Sequence, residues 1–121
     1  MLVQKLNACA EFIAGDSTRL RELLHPDKQA LALRYSLAHA TLPVGETSQP
    51  HSLKTSEVYY ILSGSGEMHI GDETQLVEPG DAVYIPPNAR QFIRSCGSEP
   101  LLFICIVDPA WRKEDETVYE E

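Results

Sequence analysis

The stretch Gly45-Glu46-Thr47-Ser48-Gln49-Pro50-His51-Ser52-Leu53-Lys54-Thr55-Ser56-Glu57, closed by Gly64, sets a glycine, a histidine, a glutamate and a second glycine at fixed intervals. Around it the chain reads as strands. Residues 57–62 are aromatic and β-branched, and Ser63-Gly64-Ser65-Gly66 after them reads as a tight turn. Residues 67–70 lead into a hairpin turn at Gly71-Asp72-Glu73, residues 74–77 follow, and Glu78-Pro79-Gly80-Asp81 is a further turn. Residues 82–85 end at Pro86-Pro87, and a strand restarts over 90–94. Residues 101–107 are apolar on both faces, which predicts burial on both sides. Upstream, residues 31–40 alternate large with small or polar side chains, the period of two expected of a strand. Short strands separated by turns at regular intervals point to a β-sandwich or barrel.

The first thirty residues read differently. Residues 2–13 form a short strand or extended arm with Val3, Leu6, Phe12 and Ile13 as apolar anchors. Asp16-Ser17-Thr18 offers a helix N-cap, Glu22 suits the positive end of a helix dipole, and Leu20, Leu23 and Leu24 fall on one side. A short helix is therefore expected there, stopping before Pro26. The organisation is one domain over 1–121: an N-terminal arm and helix (1–30), a barrel (about 31–108) and an acidic tail (109–121), solvated and frayed at its end.

With 121 residues, folding hides roughly two thirds of the chain's surface, enough for stability without disulfides or a structural metal. Ten basic and eighteen acidic side chains give a net charge of −8. No basic stripe is available to neutralise phosphates, which argues against nucleic acid as a partner. Cys9, Cys96 and Cys105 are odd in number and far apart, which argues against a disulfide framework and for a reducing compartment. Neither a signal peptide nor an apolar stretch long enough to span a bilayer is apparent, so the expected location is the cytoplasm, away from membranes.

The quoted stretch resembles the first metal-binding motif of the cupin family, G-x5-H-x-H-x3-E-x6-G, with Leu53 in place of the second histidine. Gly80-Asp81-Ala82-Val83-Tyr84-Ile85-Pro86-Pro87-Asn88-Ala89-Arg90-Gln91 resembles the second motif, G-x5-P-x-G-x2-H-x3-N. There Asn88 replaces the glycine, Gln91 the last histidine and Ser95 the asparagine. The resemblance covers residues 40 to 108 and implies an all-β fold, a small antiparallel jelly-roll barrel.

A typical cupin holds its ion with three histidines and a glutamate. The resemblance implies His51, Glu57 and Gln91 as the surviving ligand positions for a divalent ion such as Fe, Mn, Ni or Zn, with Leu53 unable to ligate. His51 and position 53 share a strand face, and Glu57 enters the next strand on the same inner side. A glutamine oxygen is a weak neutral donor, and even changes behind the ligands cost metal sites about 10- to 100-fold in affinity. His51 and Glu57 are equally suited to act as a general acid–base couple without any ion. Arg34, if its strand face is interior, suits an anionic substrate group, and Tyr59 and Gln91 are further candidates to line the pocket. Trp111 is expected against the outside of the barrel or a partner subunit.

Two functions follow from the resemblance. One is a metal-assisted enzyme acting on a small polar or anionic molecule, in the manner of cupin dioxygenases or sugar isomerases, with His51 and Glu57 catalytic. The other is a metal-free module that binds a small ligand, or is purely structural, without catalysis. In either case the doubly apolar last strand and the N-terminal segment predict a homodimer.

Overall fold

A computed structural model describes residues 1–120. Its strands are β1 (Phe12–Ile13), β2 (Arg19–Leu24), β3 (Ser36–Leu42), β4 (His51–Leu53), β5 (Ser56–Ser63), β6 (Gly66–Ile70), β7 (Glu73–Val77), β8 (Ala82–Ile85), β9 (Gln91–Ser95), β10 (Leu101–Asp108) and β11 (Glu116–Val118). They form two antiparallel sheets, one in the order β1-β2-β3-β10-β5-β8 and the other in the order β11-β4-β9-β6-β7. Neighbours far apart in sequence, such as β3 beside β10 and β4 beside β9, make this the jelly-roll arrangement that the motifs imply.

Alternation along the strands fills the space between the sheets. On β10, Leu101, Phe103, Cys105 and Val107 are buried, whereas Leu102, Ile104 and Ile106 between them are only half-buried. The run expected to be buried on both faces is thus buried on one. Its outward side chains join Tyr60 and Leu62 of β5 and Tyr84 of β8, all exposed, on the outside of the sheet. Tyr59 and Phe103 pack tilted at 45° with ring centroids 4.6 Å apart, and Ile61, Met68, Ile85, Ile93, Leu42 and Leu101 continue the core beyond them.

Gly64, the last residue of the first motif, has a φ of 80°, and a Cβ there would lie 2.4 Å from the carbonyl oxygen of Pro100. Both the left-handed backbone and the close approach demand glycine. Asn88, standing where the family has a glycine, takes a φ of 68°, which asparagine tolerates better than most residues.

Two expectations are corrected. The segment from Arg19 to Leu24 is strand β2, paired with β3, and no helix forms there; among the described residues, helical structure is confined to 3₁₀ turns at Leu6–Ala8 and Lys113–Asp115. Asp16 does bond to backbone, as a cap would: its Oδ1 accepts from the Thr18 N–H at 3.1 Å and the Thr18 hydroxyl at 2.7 Å. Ser17 adopts a φ of 75°, so the bond closes a turn instead of starting a helix. The second correction concerns the acidic tail. Residues Glu116–Val118 pair with β4, and the Tyr119 hydroxyl shares a hydrogen bond of 2.9 Å with Ser52. Arg90 lies over the Tyr119 ring, 4.6 Å from its centroid. The frayed end expected at the C-terminus falls on Glu121, outside the described residues.

Candidate functional site

His51 on β4 and Gln91 on β9 are cross-strand partners, so their side chains share the inner face of one sheet. Glu57 and Tyr59, two apart on β5, face them from the other sheet. All four are buried. The Gln91 amide bridges the sheets: its Nε2–H donates to Glu57 Oε1 at 2.8 Å, and its Oε1 accepts from the Tyr59 hydroxyl at 3.0 Å. His51 Nδ1 lies 2.9 Å from the Gln49 carbonyl oxygen. A carbonyl only accepts, so Nδ1 carries the proton and Nε2 of the neutral ring keeps its lone pair.

A cavity of about 320 Å³ opens beside this group. It is lined by His51, Glu57, Tyr59 and Leu53 from the motif, and by Ser36, Ala38, Phe103, Cys105 and Val107 from β3 and β10. Residues that the motifs do not mark complete it: Asp16 from the turn before β2, Glu22 from β2, Trp111 after β10 and Glu116 from β11. Asp16 Oδ2 lies 3.6 Å from His51 Nε2, within electrostatic range but beyond hydrogen-bond distance. Glu116 is the cross-strand partner of Leu53, which brings its carboxyl in beside the position vacated by the family's second histidine. No local spacing in the sequence announces Asp16, Trp111 or Glu116, because long-range pairing delivers them.

Burial moves the titrations. It lifts the Glu57 carboxyl to about 7, against the opposing effects of His51 and of the Gln91 hydrogen bond. Burial also raises Glu116, with His51 and a Trp111 side-chain hydrogen bond opposing the rise and Asp16 adding to it. The Tyr59 phenol and the Cys105 thiol are both pushed well up, first by burial and then by Glu57. Cys105 is accordingly an inert wall residue.

Two expected contributors lie elsewhere. Arg34 is outside the barrel, its side chain 76% exposed and its Nε 2.8 Å from Asp108 Oδ1, because it precedes β3 instead of lying within it. Gln91 does not line the cavity; it stands behind Glu57 and Tyr59 and fixes both. Trp111, expected against the outside of the barrel or a partner subunit, lines the cavity and is 37% exposed.

The donors fit the family's metal ion poorly. Gln91 is held between Glu57 and Tyr59 and does not line the cavity. Leu53 contributes only carbon. Among the described residues, no three His, Cys, Asp or Glu side chains converge closely enough to hold an ion.

The fold and the motif geometry together define a cupin. A cupin-domain family model matches residues 38–107, and the chain belongs to that family. An uncharacterized protein of Methanocaldococcus jannaschii is 39% identical over 110 residues, covering 90% of this chain and 87% of that protein. Among solved structures, a nucleoside dehydratase, variants of which from Streptomyces are described with uridine, superposes with a TM-score of 0.80 at 17% identity, covering 99% of this chain and 92% of that one. The polyketide cyclase RemF of Streptomyces resistomycificus gives a TM-score of 0.76 at 20% identity, covering 95% of this chain and 89% of the other. At these identities the likeness is one of fold.

Proposed function

We propose that the chain binds a small polar molecule in the barrel cavity and moves a proton on it, with His51 as general base and Glu57 as general acid. One observation carries the reading: His51, whose Nδ1 is engaged by the Gln49 carbonyl, and the Glu57 carboxyl, pushed by burial up to about 7, line the same cavity. A carboxyl raised to this range is suited to give up a proton around neutral pH, where general acid–base catalysis is most effective. Gln91, itself held by the Tyr59 hydroxyl, acts behind Glu57 and holds its carboxyl in place. Nucleoside dehydratase and polyketide cyclase are the names of proteins with this fold, which supports a catalytic use of such a barrel without assigning either substrate here.

The test is a small-molecule screen by thermal shift, with and without chelator, followed by mass-spectrometric detection of solvent deuterium in any stabilising compound. Stabilisation insensitive to chelator, with deuterium uptake that His51→Ala abolishes, supports the reading. Stabilisation without exchange leaves the binding module. Stabilisation that chelator removes would instead support a divalent ion on His51 and Glu57. The exposed apolar outer face carrying Tyr60, Leu62 and Tyr84 supports association as a homodimer. Sedimentation at micromolar concentration checks this: a monomer would contradict it.

A further inference from the structure

The charge around the cavity is one-sided. Asp16, Glu22, Glu57 and Glu116 line it, each from a different element, and none of its described lining residues is lysine or arginine. The only basic side chain there is His51, which the Gln49 carbonyl holds with its lone pair inward. On β2, Glu22 shares the inward side with Leu20, whereas Arg21 points away and pairs with Glu11 at 3.8 Å. Arg34, the cation expected to meet an anionic substrate, is spent on Asp108 outside.

Two further observations concern the walls. Asp16 is 8% exposed; its Oδ1 accepts from the Thr18 N–H and hydroxyl, while its Oδ2 lies 3.6 Å from His51 Nε2, beyond hydrogen-bond distance. The rim is aromatic: Phe12 and Trp111 line the cavity and remain partly exposed, 48% and 37%. Trp111 also stands beside Glu116, its indole N–H opposing the rise that burial causes in that carboxyl. Gly15 makes this arrangement possible, since a Cβ there would stand 3.0 Å from Glu116 Oε1.

Carboxylates beside aromatic faces in a small, largely apolar cavity are the chemistry that recognises organic cations. We infer that the cavity selects a small organic cation, an ammonium or guanidinium group on a compact and partly apolar body. Asp16 and Glu116 meet the charge, and Trp111 and Phe12 cover it. This rests on the reading of the cavity as the functional pocket and adds the ligand's charge. Carboxylate and phosphate compounds are correspondingly excluded by repulsion.

The experiment uses three near-isosteric probes, phenethylamine, 2-phenylethanol and 3-phenylpropanoate, titrated into the whole protein at neutral pH. Calorimetry gives the affinities, and the NMR signals of the His51 ring report entry into the cavity. The expected order is amine first, alcohol at least about tenfold weaker, since one charge-assisted contact is worth roughly that factor, and no response to the carboxylate. Glu116→Gln should cut the amine's affinity at least about tenfold and leave the alcohol's unchanged, and Trp111→Leu, which keeps every charge, should weaken the amine more than the alcohol. Equal affinities for all three probes, or tighter binding of the carboxylate, with His51 signals still responding, would overturn the charge selection while leaving the pocket intact. No movement of the His51 signals with any probe would overturn both.

Discussion

Followed along its inward-facing rows, the barrel changes character from one end to the other. On β3 the series runs Ser36, Ala38, Ala40, Leu42; on β5 it runs Glu57, Tyr59, Ile61; on β10, read backwards, it runs Val107, Cys105, Phe103, Leu101. The first members of each series line the cavity, and the last members belong to the packed core. β10 pairs with β3 and β5 at both ends, with one register shift against β5 between Leu102 and Phe103. What differs is side-chain volume and polarity. Short or polar groups at one end leave about 320 Å³ unfilled, whereas large aliphatic groups at the other close on each other as protein interiors normally do. Stability and function are thus divided along one set of strands, with Tyr59 and Phe103 shared between them.

That division can be broken from either side. The largest effect is expected at the cavity end: His51→Ala should lower turnover by about 10²- to 10⁴-fold, the usual worth of a positioned base, and move the melting temperature little. A comparable rate in this variant would remove His51 from the mechanism. At the packed end, Ile61, 1% exposed, is expected to show the reverse. Ile61→Ala should cost about 2–5 kcal/mol of unfolding free energy in a denaturant titration, through lost burial and the void it leaves, and spare ligand binding at temperatures where the fold persists.

A third prediction uses pH. The folded state holds the Glu57 proton more tightly than the unfolded chain, since burial raises this carboxyl from 4.5 to about 7. The folded state therefore binds more protons across that window, and the contribution of Glu57 to stability falls as pH rises through it. The shift corresponds to at most about 3 kcal/mol. Glu57→Gln should lose this slope, and the difference between its unfolding curves and those of the parent at pH 4.5 and 7 measures it. Smaller still is the effect of restoring ligands. Leu53→His with Gln91→His should raise affinity for Ni or Zn by about 10- to 100-fold in calorimetric titration; no gain would mean that these positions do not converge with His51 and Glu57.

Much of the fold is legible in the chain because its signals are local. The turn at Gly71-Asp72-Glu73 closes the β6–β7 hairpin, the one at Ser63-Gly64-Ser65-Gly66 carries the chain from one sheet to the other, and β5 to β10 fall within a residue or two of the expected strands. Between the Asp16-Ser17-Thr18 turn and Pro26, Leu20, Leu23 and Leu24 fit a helical period; Leu20 and Glu22 fit a strand equally well, and pairing with β3 decides between them. The motif spacing brings His51, Glu57, Tyr59 and Gln91 together, as expected of neighbours on facing sheets. It is silent on Asp16, Trp111 and Glu116, whose places depend on long-range contacts: Glu116 pairs with β4, the Asp16 carbonyl accepts from the Gln49 N–H, and the Trp111 backbone N–H donates to Ser36 Oγ. Arg34 failed for a related reason: the strand begins at Ser36, two residues too late to carry it inside.

The central claim is that Glu57 is a buried carboxyl sharing a cavity with His51, and a carbon-detected NMR titration of Glu57 tests it most directly. The account predicts a midpoint near 7, with the His51 ring signals moving over the same range and both responding to a bound probe. A midpoint near 4.5, with no response at His51, would place the carboxyl in water and contradict it.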